Sequence, residues 1–248
     1  MIDRHAIVNP VKGKKPPATG PLAILAATES DLRLLSRLSG PPVVEQRKLY
    51  MSSLFVRADD RRRFTLVGPL IGAPYAAMIV DTLWVWGVET ILFIGWCGAV
   101  SGRIKAGDII MPTSALVDEG TSGHYGDPSC RVALPARPLV HQARLALQHL
   151  RAPIHDGAVW TTDAIFRETE EKVKAYQKKG ALAVEMELSA IFTVANFREI
   201  EAAGILVVSH ELSDYQWRPG FKQPAFRGAR EKVCRAALTM SRHSSASS

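Results

Sequence analysis

The 248-residue sequence lacks several features that would place it in other classes of protein. No apolar run reaches the roughly 20 residues needed to span a bilayer, so no membrane partner is expected. The N-terminus has no apolar stretch of the kind that directs secretion, which favours a cytoplasmic location. Cysteine is scarce: Cys97, Cys130 and Cys234 are odd in number and widely spaced, which predicts reduced thiols and no metal site.

The sequence also lacks the pattern expected of a nucleic-acid-binding protein, although it is basic. Lysine and arginine together number 31 against 24 acidic residues, which gives a net charge of +7. Some of these cations lie in a polar leader and in a turn at residues 61–63, and no basic helix carries interleaved aromatic side chains. The charge therefore predicts no nucleic-acid partner; it is interpreted as a solvated face, with a surface that steers small anions, phosphate included, as the alternative.

Short apolar segments alternate with helical segments along the chain. Strands are predicted at 21–27, 64–67, 90–94, 108–111, 157–160 and 205–209. Helices are predicted at 30–38 with Ser30 as N-cap, and at 75–86, 138–150, 168–178, 188–197 and 227–241. This alternation predicts a single three-layer α/β/α domain with a mostly parallel central mixed sheet at residues 21–241. Residues 1–20 are predicted to be a flexible basic leader and residues 242–248 a disordered tail.

The tripeptide Glu185-Met186-Glu187 is the most informative local feature. Two carboxylates one residue apart point in different directions, so a shared-proton pair is not expected. Methionine offers a polarisable apolar surface. A carboxylate beside such a surface suits a vicinal diol, because it accepts two hydroxyl hydrogen bonds. The tripeptide is therefore interpreted as a ribose site. The alternative is that its residues have structural roles only, as a surface Glu, a core Met and a Glu at a helix N-terminus.

Four further glycine-rich or apolar motifs precede the tripeptide, and a late strand follows it. The four motifs are Gly-Pro-Leu-Ile-Gly-Ala-Pro at 68–74, Ile-Leu-Phe-Ile-Gly-Trp-Cys-Gly-Ala-Val at 91–100, Ala-Gly-Asp-Ile-Ile-Met-Pro at 106–112, and Thr-Thr-Asp-Ala-Ile-Phe at 161–166. The late strand is Ile-Leu-Val-Val-Ser-His at 205–210. Over roughly residues 21 to 240 this set resembles the nucleoside phosphorylase superfamily, which includes purine nucleoside and uridine phosphorylases and nucleosidases. The resemblance implies cleavage of the N-glycosidic bond of a nucleoside, with inorganic phosphate as co-substrate and no other cofactor. It also implies a homo-oligomer: a dimer, trimer or hexamer.

The resemblance assigns the sugar site residue by residue. Glu187 would hold the sugar hydroxyls, Met186 would pack against the sugar, and Glu185 would help to frame the site. All three positions match the motif of the family.

The base site follows from the segment at 161–166 and from the late strand. Phe166 would stack on the base, with Ile165 beside it and Arg167 within reach of a carbonyl edge, unless Phe166 belongs to the core. Purine-cleaving members carry an Asp after the Val-Ser of the late strand, where this chain has His210. A histidine can donate a proton near neutral pH, but a structural histidine is the alternative, and purine or pyrimidine specificity stays open.

The nucleophile pocket is where the chain departs from the family. Phosphorylases place an arginine where this chain has Phe93, and a Ser or Thr where it has Trp96. Arg33 from the first loop and Arg47 from a neighbouring subunit are the replacement candidates. Each charge-assisted hydrogen bond contributes roughly 1.5–3 kcal/mol, so losing two would weaken phosphate binding by about a hundredfold or more. The remaining residues assigned to this pocket are Gly72, Gly95, Cys97 and Gly98.

Three functions stay open at this point. Phosphorolysis is the leading prediction, because the chain resembles a superfamily that includes purine nucleoside and uridine phosphorylases. Residues 24–31, however, resemble the first loop of methylthioadenosine/S-adenosylhomocysteine nucleosidases, in which a carboxylate activates water; on that match Asp31 would be the base. Asp31 is equally well explained as a first-turn helix residue. A catalytically decayed nucleoside-binding protein is the third hypothesis.

Overall fold

The computed structural model describes residues 6–60, 62–150 and 153–241. Within these ranges eleven strands form one sheet. They are β1 (Leu22–Ala26), β2 (Val43–Leu49), β3 (Ser52–Ala58), β4 (Arg63–Gly68), β5 (Thr90–Ala99), β6 (Ile109–Asp118), β7 (Val132–Ala133), β8 (Ile154–Thr162), β9 (Ala181–Glu185), β10 (Glu201–Glu211) and β11 (Arg218–Pro219).

The same ranges contain six α-helices. They are α1 (Glu29–Leu38), α2 (Ala73–Val85), α3 (Arg137–Gln148), α4 (Glu170–Lys178), α5 (Leu188–Phe197) and α6 (Pro224–Met240). Thr28 caps α1 by accepting a hydrogen bond from the Asp31 amide, and Thr169 caps α4 in the same way. Helices α2, α3 and α6 each have a proline in the first turn, where its missing N–H has no helical partner to lose. No described helix is both long and apolar enough to cross a membrane.

The sheet is mixed, and its central strands run parallel. Strand β1 pairs in parallel with β4 and β5, and β5 pairs in parallel with β10. The antiparallel hairpin of β2 and β3 extends one edge through β4. At the other end, β6, β8 and β9 connect β10 back to β5, so these five strands close into a ring.

Helices cover both faces of the sheet. Along β1, Ala23 and Leu25 belong to a core cluster that includes α2 and α5, whereas Leu22 and Ile24 belong to a second cluster that includes α1, α3 and α6. Successive strand residues point to opposite faces, so one apolar strand supplies both cores. The predicted three-layer α/β/α architecture with a mixed sheet is therefore confirmed.

Some details of the prediction are wrong. Thr28, rather than Ser30, is the N-cap of α1, because Ser30 already lies inside the first turn. The hairpin of β2 and β3 was not predicted, because four consecutive polar or charged residues at 45–48 interrupt β2 and no long apolar run marks it. Strands β7, β9 and β11 were not predicted either.

The leader follows the surface of the domain. Residues 6–20 contain no helix or strand, but their backbone carbonyls accept hydrogen bonds from side chains of the domain. Trp86 Nε1 donates to the Lys12 carbonyl at 3.1 Å, and the Thr65 hydroxyl donates to the Thr19 carbonyl at 2.5 Å. The predicted tail at 242–248 and residues 1–5 of the leader lie outside the described residues.

Candidate active site

A cleft of about 510 Å³ opens where several strands end. The end of β5 contributes Trp96 to Gly98, the end of β9 contributes Glu185, and the end of β10 contributes Ser209 and His210. In α/β sheets ligands bind at such carboxyl ends, where loops leave neighbouring strands. The cleft is therefore the candidate active site.

Glu185 supports the framework of this cleft. Its buried carboxylate accepts hydrogen bonds from the Thr161 hydroxyl and from the amides of Glu187 and Leu188, the latter two at 2.7 Å. These bonds tie the end of β9 to the first turn of α5. The framing role that the resemblance implies for Glu185 stays a prediction.

Glu187 lies at the start of α5 and lines the cleft together with Met186. Its Oε1 accepts a hydrogen bond from the Gly72 amide at 2.7 Å. Burial, and then the neighbouring Glu185 charge, raise the pKa of Glu187 above its ordinary value; burial also raises the pKa of Glu185. The two carboxyls are held by different donors, as expected for residues one apart.

His210 is buried at the side of the cleft. Its Nδ1 lies 3.0 Å from the Ser209 hydroxyl. Burial lowers the pKa of His210, and the ordinary value for histidine is about 6.5, so the imidazole is neutral at pH 7. Gly98 makes room for this ring, because a methyl group on Gly98 would lie 2.4 Å from His210 Nε2.

The three residues assigned to the base occupy different environments. Ile165 lines the cleft, whereas Arg167 is exposed and lines neither the cleft nor the cavity beside it. Phe166 is 95% exposed and lines only that adjoining cavity. The aromatic residue that lines both spaces is Phe221, which sequence reasoning missed. The sequence pattern that could have indicated Phe221 is the concentration of aromatic residues at 215–221, in a chain with only 7% aromatic residues.

The adjoining cavity has a volume of about 410 Å³ and meets the cleft along a boundary of four residues: Ile165, Glu168, His210 and Phe221. Trp217 and Tyr215 form much of its outer wall. Glu168 is the acidic member of the boundary, and burial raises its pKa to about 7. It was not among the predicted site residues.

The position expected to bind phosphate contains a buried polar cluster. Trp96 Nε1 donates to Asp31 Oδ2 at 2.6 Å, and Arg230 Nε and Nη2 lie 2.7 and 2.6 Å from Asp31 Oδ1. The Arg230 guanidinium also stacks 5.0 Å from the Trp96 ring. Both oxygens of Asp31 are thus engaged, and Asp31 does not line the cleft. We call Asp31, Trp96 and Arg230 the plug.

Most of the remaining candidates for the nucleophile pocket do not line the cleft. Arg33 forms an exposed ion pair with Glu29, and Arg47 pairs with Glu45 and donates to the Lys15 carbonyl. Gly72 uses its amide to hold Glu187, as described above. Phe93 and Gly95 pack in the core, whereas Cys97 lines the cleft, and burial raises the pKa of its thiol.

No lysine or arginine lines the cleft among the residues that the structure describes. Its ionisable side chains there are three glutamates (Glu168, Glu185 and Glu187), His210, Cys97 and Tyr75. Burial raises the pKa of all three glutamates, so these carboxyl groups are partly protonated near neutral pH, and no cation in this space compensates an anionic ligand. No cluster of metal-ligating side chains was found in the described part of the chain.

Comparison with known proteins assigns the chain to a family. Residues 21–241 match the family model described as the phosphorylase superfamily. The chain belongs to the phosphorylase superfamily. Among curated members, it is 32% identical to guanosine phosphorylase from Halorubrum lacusprofundi over 153 residues, a match that covers 62% of this chain and 63% of that protein. It is 28% identical to a DeoD-type purine nucleoside phosphorylase from Brevibacillus brevis, covering 71% and 76% of the two chains.

Two solved structures have the same fold as this chain. Uridine phosphorylase from Vibrio fischeri superimposes with a TM-score of 0.78 at 22% identity, covering 90% of this chain and 92% of the other. AMP nucleosidase from Bacteroides thetaiotaomicron gives a TM-score of 0.69 at 25% identity, covering 90% and 89%. The structural neighbours thus include a protein named as a phosphorylase and one named as a nucleosidase.

Proposed function

We propose that this superfamily member cleaves the N-glycosidic bond of a nucleoside and releases the free base. The observation that carries the proposal is the position of Glu187 and Met186 in one cleft with His210 and Phe221. A buried carboxylate beside an apolar thioether suits the two hydroxyls of a ribose. The aromatic side of the cleft suits a planar base. The names of the curated relatives support the same reaction class.

The charge of the cleft favours water as the nucleophile. A phosphate dianion would enter a space lined by carboxyl groups, with no lysine or arginine from the described part of this chain. Nearby, Arg230 is already neutralised by Asp31 inside the plug. Water needs no cation to bind, whereas phosphate would find no charge-assisted donor among these residues. Hydrolysis is therefore the reaction that this cleft supports best.

Phosphorolysis is the second candidate, and it depends on a neighbouring copy of the chain. Both curated relatives described above are named as phosphorylases. Arg47 lies on β2, and Met51, just beyond the end of that strand, lines the cleft. In a homo-oligomer that joins this hairpin to a second cleft, Arg47 would supply the missing cation.

One experiment tests the function and distinguishes the nucleophiles. The purified chain is incubated with purine and pyrimidine nucleosides, with and without phosphate, and base, ribose and ribose-1-phosphate are quantified. Equal base release without phosphate supports hydrolysis; ribose-1-phosphate that disappears in Arg47→Ala supports phosphorolysis. Thermal stabilisation by nucleosides with no base release from any of them would overturn the proposal and favour the decayed binding protein.

A matched pair of variants tests the site itself. Glu187→Gln keeps the shape of the side chain and removes its charge, and it is expected to abolish most turnover. Glu201→Gln makes the same change at an exposed position at the start of β10 and is expected to retain wild-type turnover. Equal activity of the two variants would refute the assignment of the sugar site.

A further inference from the structure

Glu168 is an acidic residue to which neither the sequence nor the resemblance gave a role. It lies between the short helical turn at Ile165–Arg167 and the start of α4, on the boundary that the cleft shares with the adjoining cavity. No hydrogen bond or ion pair of its carboxyl group was found among the described residues. Its neighbour Glu170, in contrast, is paired with Lys174.

His210 is the residue at the same boundary that sequence reasoning expected to donate a proton. Burial keeps its imidazole neutral at pH 7, and its Nδ1 is already within hydrogen-bonding distance of Ser209. A neutral imidazole is a poor acid near neutral pH. If the departing base is protonated at this boundary, the proton must therefore come from a residue other than His210.

We propose that Glu168, rather than His210, is the general acid that protonates the departing base. This inference rests on the proposed function, since it requires a base to be released at this site. In the step, the C1′–N bond breaks and its electron pair goes to the base. The proton of the Glu168 carboxyl goes to a ring nitrogen of that base. An oxygen of water bonds to C1′, and the proton that water releases returns to Glu168 through solvent.

The electrostatic setting is consistent with this role. Burial raises the pKa of Glu168 to about 7, so a substantial fraction of the carboxyl group carries a proton at neutral pH. General acids work best with a pKa near the working pH. The other titratable groups facing the two joined spaces are Glu170, His210, Tyr215, Glu185, Glu187, Cys97 and Tyr75.

The experiment compares two leaving groups in Glu168→Gln. Hydrolysis of an unactivated nucleoside needs protonation of the base, whereas p-nitrophenyl riboside releases a stable phenolate without it. General acid catalysis typically contributes 10²–10⁴-fold, so we expect Glu168→Gln to lose about 100-fold or more in kcat on the nucleoside. On p-nitrophenyl riboside we expect a change of less than about tenfold. Glu171→Gln, an exposed neighbour on α4, is the control and should match the wild type on both substrates.

The pH profile provides the second measurement. Wild-type kcat on the nucleoside should fall as the pH rises through about 7, and Glu168→Gln should lose this limb. Equal losses on both substrates, or a retained limb, would overturn the role of Glu168. If the wild type cleaves neither substrate, the proposed function itself fails, which is a separate result.

Discussion

Asp31→Asn tests whether Asp31 is a structural residue or a water-activating base. The carboxylate has four donors around it: two from Arg230, one from Trp96 and one from the Thr28 hydroxyl at 3.1 Å. An asparagine keeps the shape but has one acceptor oxygen, so its amide nitrogen must face a donor on one side. It also leaves the Arg230 guanidinium, whose side chain is 17% exposed, without its counter-charge.

The expected cost is large for a single substitution. Breaking a buried ion pair by removing one charge typically costs 3–5 kcal/mol, and the partial exposure of Arg230 reduces this. We therefore expect a loss of roughly 2–4 kcal/mol in the free energy of unfolding, measured by urea denaturation. The control is Glu29→Gln, which removes an exposed i,i+4 ion pair with Arg33 and should cost about 0.5 kcal/mol or less.

The two roles of Asp31 predict opposite pairs of results. A structural residue gives a destabilised Asp31→Asn that still releases base at a temperature where it stays folded. A catalytic base gives normal stability and no base release. If Asp31→Asn costs no more stability than Glu29→Gln while turnover disappears, our interpretation of the plug is wrong.

Three other predictions concern the cleft. Glu187→Gln should lower turnover by about 100-fold or more, because charge-assisted hydrogen bonds to the sugar are lost. Its urea midpoint at pH 8 should equal or exceed that of the wild type, because the substitution removes a buried charge. Gly98→Ala should cost about 1–3 kcal/mol of stability and displace the His210 ring, which a crystal structure of the variant would show. A carboxyl group whose pKa is higher in the folded state stabilises the fold at low pH and loses this effect as the pH rises through the folded value. Urea midpoints should therefore show Glu168→Gln gaining stability relative to the wild type between pH 4.5 and about 7; an unchanged difference would contradict the burial of this carboxyl.

Much of the fold was predictable because its central strands are apolar on both faces. The segments that became β1, β5 and β10 are continuous apolar runs, which only a covered parallel sheet explains. The edge hairpin of β2 and β3 was not predictable in the same way, because an edge strand needs no such run. The N-cap of α1 differed by two residues, since threonine and serine are both good caps and the sequence alone does not show which hydroxyl accepts the Asp31 amide.

The site was predictable where neighbours in sequence are also neighbours in space. Glu185, Met186 and Glu187 form a local turn, so their arrangement follows from a short motif. The plug depends on a contact between Asp31 and Arg230, which are 199 residues apart in the sequence. No local sequence pattern predicts this contact. Phe166 was expected over the base, but it points outward, and Phe221 from the segment after β10 lines the cleft instead.

The carboxyl-lined cleft has a consequence for substrate choice in a cell. A nucleotide differs from a nucleoside by its 5′-phosphates, which carry negative charge. The described part of the chain supplies no cation in the cleft to offset it. If the proposed function holds, the cleft would therefore favour uncharged nucleosides over nucleotides, because it offers a 5′-phosphate no charge-assisted hydrogen bond from these residues.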